Sequence, residues 1–349
     1  MKFRARAVGI AVLLAVVGIP LAMFATAKLL PAQQVQKPES ADYKISGPYT
    51  HENLTVFLVH GKDTLPGKKF LTLQEALASK VVVVHETKDV NELAIENVSR
   101  DQEVYVQSGD IVKGGQQDRV LAVDLIVAPR SGRIPIAAFC VEQGRWRQRG
   151  QEEAGKFEAS TDIVATNGLR IAANKSKSQG EVWAKVSEAQ AKLSENVGGS
   201  VNSTVSSSSL QLSLENKKVQ AVTDDYVRKL ANIVDGKSDV IGYAVAVNGK
   251  MNNADVYGSS ALFRKLWPKL LKASAVEAVA ELQRGAKFET VRADAVEGFF
   301  AEAEDGKPAD DEVSDRVRRV TRETDENLLF ETRDQKQDAT LHRSYVKKQ

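Results

Sequence analysis

Between Gly109 and Trp146 the chain concentrates residue types that do chemistry. Gly109-Asp110-Ile111-Val112-Lys113-Gly114-Gly115-Gln116-Gln117-Asp118-Arg119 is followed by an apolar stretch and then by Cys140-Val141-Glu142-Gln143-Gly144-Arg145-Trp146. The Gly114-Gly115 pair lets backbone amides approach a bound group closely. Gln116, Gln117 and Arg119 add side-chain donors, a set suited to an anion or a polyhydroxy ligand. Glu142, Arg145 and Trp146 bring a carboxylate, a guanidinium and an indole close together, as a small-ligand or sugar platform does, the ring offering a stacking face. These eight residues are the expected binding set. If the site is catalytic, Asp110, Asp118 and Glu142 are the candidate acids or bases, with Arg119 or Arg145 holding an anionic substrate. A structural reading stands beside both: tight β turns in which Arg119 pairs with Asp110 or Asp118 and Trp146 anchors the second turn to the core.

Other chemistries lack their spacing. The Gly114-Gly115 loop has neither the G-x-x-x-x-G-K-[ST] of a P-loop nor a G-x-G-x-x-G opening a helix. The histidines, His51, His60, His85 and His342, lie far apart in sequence, so no local metal motif exists, and an assembled His60–His85 site is the weaker reading. No G-x-S-x-G elbow is present, and Ser206 to Ser209 fall in a Gly/Ser/Thr-rich loop. Cys140 is the single cysteine, which excludes an intrachain disulfide, and its apolar neighbours favour a buried thiol over a nucleophile. A net charge of +2 with no dominant basic patch argues against nucleic acid as a partner, and Arg316 to Arg319 reads as a solvated face. Neither a metal nor a cofactor is expected.

The elements that must position the turns follow from hydrophobic periodicity. Lys2, Arg4 and Arg6 precede an uncharged run from Ala7 to Ala27 that ends in Ala25-Thr26-Ala27. Residues 1–28 are therefore a signal peptide or an N-terminal membrane anchor, which leaves the bulk of the chain outside the cytoplasm (periplasmic if bacterial). Residues 29–42, with two prolines, read as a linker. Strands are expected at Tyr43–Tyr49 and Leu54–His60, at Val81–Val84, at a paired Ala94–Val98 and Glu103–Gln107, at an alternating Val120–Ala128, and at Ile134–Val141. Thr72-Leu73-Gln74-Glu75 has capping-box spacing and opens a short helix. Apolar residues at helical spacing mark Gly180–Asn196 and Asn216–Val234, and Asn248-Gly249 joins two strands as a hairpin. A helix capped by Ser259 or Ser260 runs to about Leu282, with Pro268 expected to kink or divide it. The remainder is a short helix, an acidic loop from Glu304 to Glu312 and three polar strand-like segments. The fold class is α+β: an antiparallel β-rich N-terminal half, sandwich- or barrel-like, with helices and a further hairpin packed against it. Residues 43–285 form one composite domain and 286–349 a polar extension.

The order GDIVKGGQQDR, CVEQGRW, Val182-Trp183, GYAVAVNGK and LFRKLWPKLL resembles the ARG-and-rhodanese-phosphatase-superfamily-associated protein domain over roughly Gly47 to Leu282. The family's name implies a link to ADP-ribose or phosphate-ester chemistry. Three functions stay open. The first expectation is an extracytoplasmic small-ligand-binding module for an anionic, nucleotide- or ADP-ribose-related, or sugar ligand, membrane-associated through the N-terminal segment. The second is an enzyme acting on a phosphate ester or glycosidic substrate, and the third a structural or interaction protein.

Overall fold

Leu54-Thr55-Val56-Phe57-Leu58-Val59, almost entirely β-forming, lies enclosed one strand in from an edge of the largest sheet. A computed structural model describes residues 39–87, 89–144, 156–163 and 166–348. The expected signal or anchor segment falls outside them, as do Arg145 and Trp146. Among the described residues no helix is long and apolar enough to cross a membrane.

In chain order, β1 (Lys44–His51) and β2 (Leu54–His60) form a hairpin, and β3 (Phe70–Thr72) runs straight into α1 (Leu73–Ala78). The Thr72 hydroxyl accepts from Glu75 N, and the Glu75 carboxylate accepts from Thr72 N, so two free amides of the first turn are satisfied reciprocally. Then come β4 (Val82–Glu86), β5 (Glu92–Asn97), β6 (Glu103–Val106), β7 (Asp110–Gly114), β8 (Arg119–Leu121), β9 (Leu125–Val127), β10 (Arg133–Cys140) and β11 (Phe157–Ile163). The helical part holds α2 (Asn167–Ile171), which continues as a π-helical turn over Ala172–Ser176, then α3 (Gln179–Asn196), α4 (Leu210–Leu214) and α5 (Lys217–Leu230). β12 (Val240–Val247) and β13 (Lys250–Tyr257) meet at Asn248-Gly249, where φ is +52° and +72°, the positive values a two-residue turn requires. α6 (Ser260–Ala280), α7 (Ala293–Glu304), β14 (Lys307–Glu312), β15 (Val317–Glu323), β16 (Asn327–Asp334) and β17 (Ala339–Lys347) complete the chain.

The fold is α+β. One antiparallel sheet has eight strands in the order β1-β2-β12-β13-β17-β16-β15-β14, a six-stranded sheet runs β11-β7-β8-β10-β5-β4, and a small sheet runs β3-β6-β9. The six-stranded sheet curls until β4 and β11 touch, enclosing its own apolar core. α6 lies between the sheets against β11, β12, β3 and helices α3 and α5, and α7 covers the opposite face of the large sheet through Phe299 and Phe300. β12 is consequently enclosed along its whole length.

Several local expectations are corrected. β5 and β6 do not pair; β5 joins β4 and β10, whereas β6 runs parallel to β3 and antiparallel to β9. The expected single strand from Val120 to Ala128 is two, β8 and β9, in different sheets. The chain breaks between them because the Asp124 carboxylate turns inward to four polar partners. Pro268 does not divide α6. The residues around it, Leu266, Trp267, Leu270 and Leu271, are all enclosed, and their packing outweighs a proline cost of about 3 kcal/mol. The acidic loop is instead an edge strand, β14, whose Asp310 and Asp311 pair with Arg318 and Arg319 across β15. The last three segments, β15 to β17, are strands as expected but join the large sheet through β13–β17 pairing rather than standing apart from it.

Candidate functional site

The two turns singled out in the sequence come together. β7 and β8 pair through Ile111–Val120 and Val112–Arg119, which folds the Gly114–Asp118 turn back on itself. Gly114 N donates to Asp118 Oδ1 at 2.9 Å and Gln116 N to Glu86 Oε1 at 2.8 Å. A side chain at Gly115, where φ is +52°, would collide with the Phe157 ring and the Glu86 carboxylate, so glycine is required there. Gln117 Nε2 donates to Glu142 O at 3.0 Å, and Val141 N to Asp118 O at 3.0 Å, so Glu142 sits against the first turn.

Gln116 is exposed, but the other described residues of the expected set are enclosed, not displayed. Arg119 is 2 % exposed, and its guanidinium donates to Val90 O at 2.9 Å, touches Cys140 Sγ and lies 3.5 Å from Glu86. Gln117, Asp118 and Glu142 are fully buried, and Asp110 is committed to Lys269 of α6 at 2.6 Å and to Gln107 N at 3.0 Å. Arg119 thus pairs with Glu86, not with Asp110 or Asp118. Burial, offset only in part by the Arg119 charge, raises the Cys140 thiol above its usual range, where it is a weak nucleophile. His60 pairs with Asp239, and His85 with Glu96. Among the described residues no group of three or more His, Cys, Asp or Glu is placed to hold a metal ion.

A second constellation, with no counterpart among the expected site residues, lies across the large sheet. The register aligns Tyr257 with His342, His342 with Thr332, and Thr332 with Arg319, one row across β13, β17, β16 and β15. Strand alternation puts Asp255 on the same face of β13 as Tyr257. Asp124, between β8 and β9, reaches this row from the opposite sheet. Its Oδ2 accepts from Thr332 Oγ1 at 2.7 Å and lies 2.9 Å from His342 Nδ1. Its Oδ1 accepts from Tyr105 OH at 3.0 Å and Ser108 N at 2.8 Å. On the other side His342 Nε2 lies 3.2 Å from Asp255 Oδ1. Asp255 also takes Tyr243 OH at 3.0 Å and, through both oxygens, Arg170 Nη1 at 3.1 and 3.3 Å. α2, capped by Thr166, delivers Arg170, and the π-helical turn that follows delivers Asn174, whose Oδ1 accepts from Ser108 Oγ at 2.8 Å. A π turn of this kind often marks a functional position.

Both ring nitrogens of His342 face carboxylate oxygens, which only accept, so the geometry suits a doubly protonated imidazolium. Burial alone would lower its pKa. The charge and hydrogen bond of Asp124, and then those of Asp255, overcome this and push it up to about 9. Burial would raise Asp124 and Asp255, but His342 lowers the former, and Arg170 followed by His342 holds the latter far below the carboxylate range. Tyr257 stacks on His342 with centroids 4.4 Å apart and planes 9° from parallel, a cation–π contact.

Within this cluster a recess of about 20 Å³, room for one water molecule, is lined by Asp124, Asp255 and His342 and by Arg170, Arg319 and Asn174. Arg319 is nearly buried, lies over the Phe330 ring at 5.8 Å, and donates to Asp311 at the rim at 2.7 Å. Its Nε is enclosed without a hydrogen-bond partner. The run Arg316–Arg319 is therefore not a solvated face: Arg316 is held by Glu103 and Asp334, Arg319 turns inward, and only Arg318 is well exposed. The available sequence signal was a carboxylate between apolar neighbours, Asp124 between Val123 and Leu125 and Asp255 between Ala254 and Val256; His342, between Leu341 and Arg343, carried none.

No curated protein and no solved structure matches the chain. The model of one family, described as ARG and Rhodanese-Phosphatase-superfamily-associated Protein domain, matches residues 42–346, beyond the Leu282 limit of the resemblance and through the final strand. With most of its length covered by that match, the chain belongs to the ARG and Rhodanese-Phosphatase-superfamily-associated Protein domain family.

Proposed function

We propose that the folded unit is a small-ligand-binding module that takes an anionic group, such as a phosphate ester of a nucleotide or ADP-ribose-like molecule, at the Arg170–Arg319–His342 recess, which widens from its one-water volume to admit the group. One observation carries the reading: three cationic side chains from β15, β17 and α2 line one recess with two carboxylates, Asp124 and Asp255, that hold Arg170 and His342 in place, and Arg319 Nε there has a proton with no acceptor. Guanidinium and imidazolium groups held in place by buried carboxylates cost little to organise when an anion arrives.

Binding is favoured over catalysis by the state of His342. A general base works best with a pKa near the working pH, and an imidazole held at about 9 stays charged there. The N-terminal basic and apolar segment supports presentation outside the cytoplasm, as a secreted or membrane-held module.

Thermal melting of the folded unit against inorganic phosphate, phosphate esters, ADP-ribose and neutral sugars, at constant ionic strength, tests the proposal. An anionic ligand at 100 times its Kd adds about 3 kcal/mol of stability, and Arg319→Gln removes that gain. A panel in which only neutral sugars stabilise the protein, or none of its members does, contradicts it.

A further inference from the structure

One edge of the Arg319 guanidinium fork is only partly occupied. Nη2 donates to Asp311 Oδ2 at 2.7 Å, while Nε, on the same edge, is enclosed without a hydrogen-bond partner. The arginine is nearly buried and lies over the Phe330 ring, so its position is fixed. Asp311 is held less firmly. It belongs to β14, the outermost strand of the eight-stranded sheet, and its side chain is 41 % exposed. A second cation shares it, because Lys177 Nζ donates to the same Oδ2 at 3.0 Å. Lys177 caps the π-helical turn that carries Asn174 into the recess. One carboxylate oxygen between a guanidinium and an ammonium thus stands where an oxygen of a phosphate would.

We infer that Asp311 is a built-in competitor for the ligand anion and that Lys177 is a further ligand-binding residue. The arriving anion displaces Asp311 outward, which opens the rim above Arg319, and takes Nε and Nη2 together with Lys177 on its outer side. The inference rests on the reading of the recess as an anion site. The exchange favours the ligand because a phosphate spans both donors of the fork, whereas Asp311 reaches Nη2 and leaves Nε bare. An exposed ion pair at a sheet edge opposes it weakly. Asp310 provides the contrast. Strand alternation turns it to the other face, where it pairs with Arg318 at 2.6 Å.

Calorimetric titration of the full chain with inorganic phosphate, at pH 7 and constant ionic strength, tests this. An Asp311 seated in about nine molecules of ten lowers the apparent affinity about tenfold, so Asp311→Asn should bind about tenfold more tightly than the wild type. Asp310→Asn removes the same charge one residue away, exposed and screened, and should stay within about twofold of the wild type. Lys177→Gln, introduced into Asp311→Asn so that no competitor remains, should weaken binding by about fivefold. Equal affinities in wild type and Asp311→Asn, or equal gains in Asp310→Asn and Asp311→Asn, overturn the competitor and leave the anion site standing. A double variant as tight as Asp311→Asn overturns the role of Lys177. Absence of phosphate binding in the wild type and in Asp311→Asn alike refutes the anion site, and this inference with it.

Discussion

Raising the pH removes the proton that joins the two halves of the molecule. His342 belongs to the C-terminal β17, Asp124 to the N-terminal segment between β8 and β9, and Asp255 to β13. In the unfolded chain the imidazole titrates near 6.5; folded, it titrates at about 9. Because the folded value is raised, the stabilisation is complete below pH 6.5 and is lost as the pH climbs through 9. The difference corresponds to about 3 kcal/mol. Denaturant unfolding at several pH values from 6 to 10 reads it directly. Wild-type stability should decline by that order above pH 7. His342→Gln should be less stable at pH 7 by about 3–5 kcal/mol, since two buried carboxylates lose their cation, and should show a flatter decline. Parallel curves for the two proteins would refute the reasoning, because the proton would then have no differential affinity for the folded state.

Other outcomes follow from the same contacts. Glu277→Gln should raise stability by about 3 kcal/mol above pH 7 and by almost nothing below pH 4.5, because this carboxyl of α6, raised by burial to about 7, destabilises only once ionised; unfolding curves at the two ends check this. Arg119→Lys should cost about 1–3 kcal/mol in a melting experiment, since lysine cannot reach Val90 O, Glu86 and Cys140 together in that enclosed position. Gly115→Ala should cost at least about 1 kcal/mol from its positive φ, with the collision against Phe157 added. Fractionation of the tagged full chain should place it in the membrane or outside the cytoplasm, and recovery as a cytoplasmic protein with an intact N-terminus would oppose that location.

What the sequence reveals of this fold is what neighbours in the chain decide. The Thr72–Glu75 box, the Asn248-Gly249 turn and the Val182, Val186, Ala189 and Leu193 stripe of α3 are all set within a few residues, and each takes the form its spacing implies. Pairing is different. Which sheet receives β6, whether β14 is a loop or an edge, and whether packing carries α6 through Pro268 depend on partners far along the chain. The Gly114–Arg119 and Glu142 turns were legible as special because glycine and buried charge are local signals, and they do meet. Their burial was not legible, because Glu86 and Phe157, which close over Gly115, come from β4 and β11. The recess was hidden for the same reason: Asp124 and His342 are 218 positions apart and become neighbours only when β17 joins β13.

Nitrogen-15 NMR of the His342 ring and the Arg319 Nε–H, during titration with inorganic phosphate at pH 7, tests the central claim most directly. The account predicts two protonated ring nitrogens before phosphate is added and a saturable shift of the Arg319 Nε–H as it gains an acceptor, absent in Arg319→Gln. A neutral His342, or an Arg319 resonance that phosphate leaves in place, would contradict it.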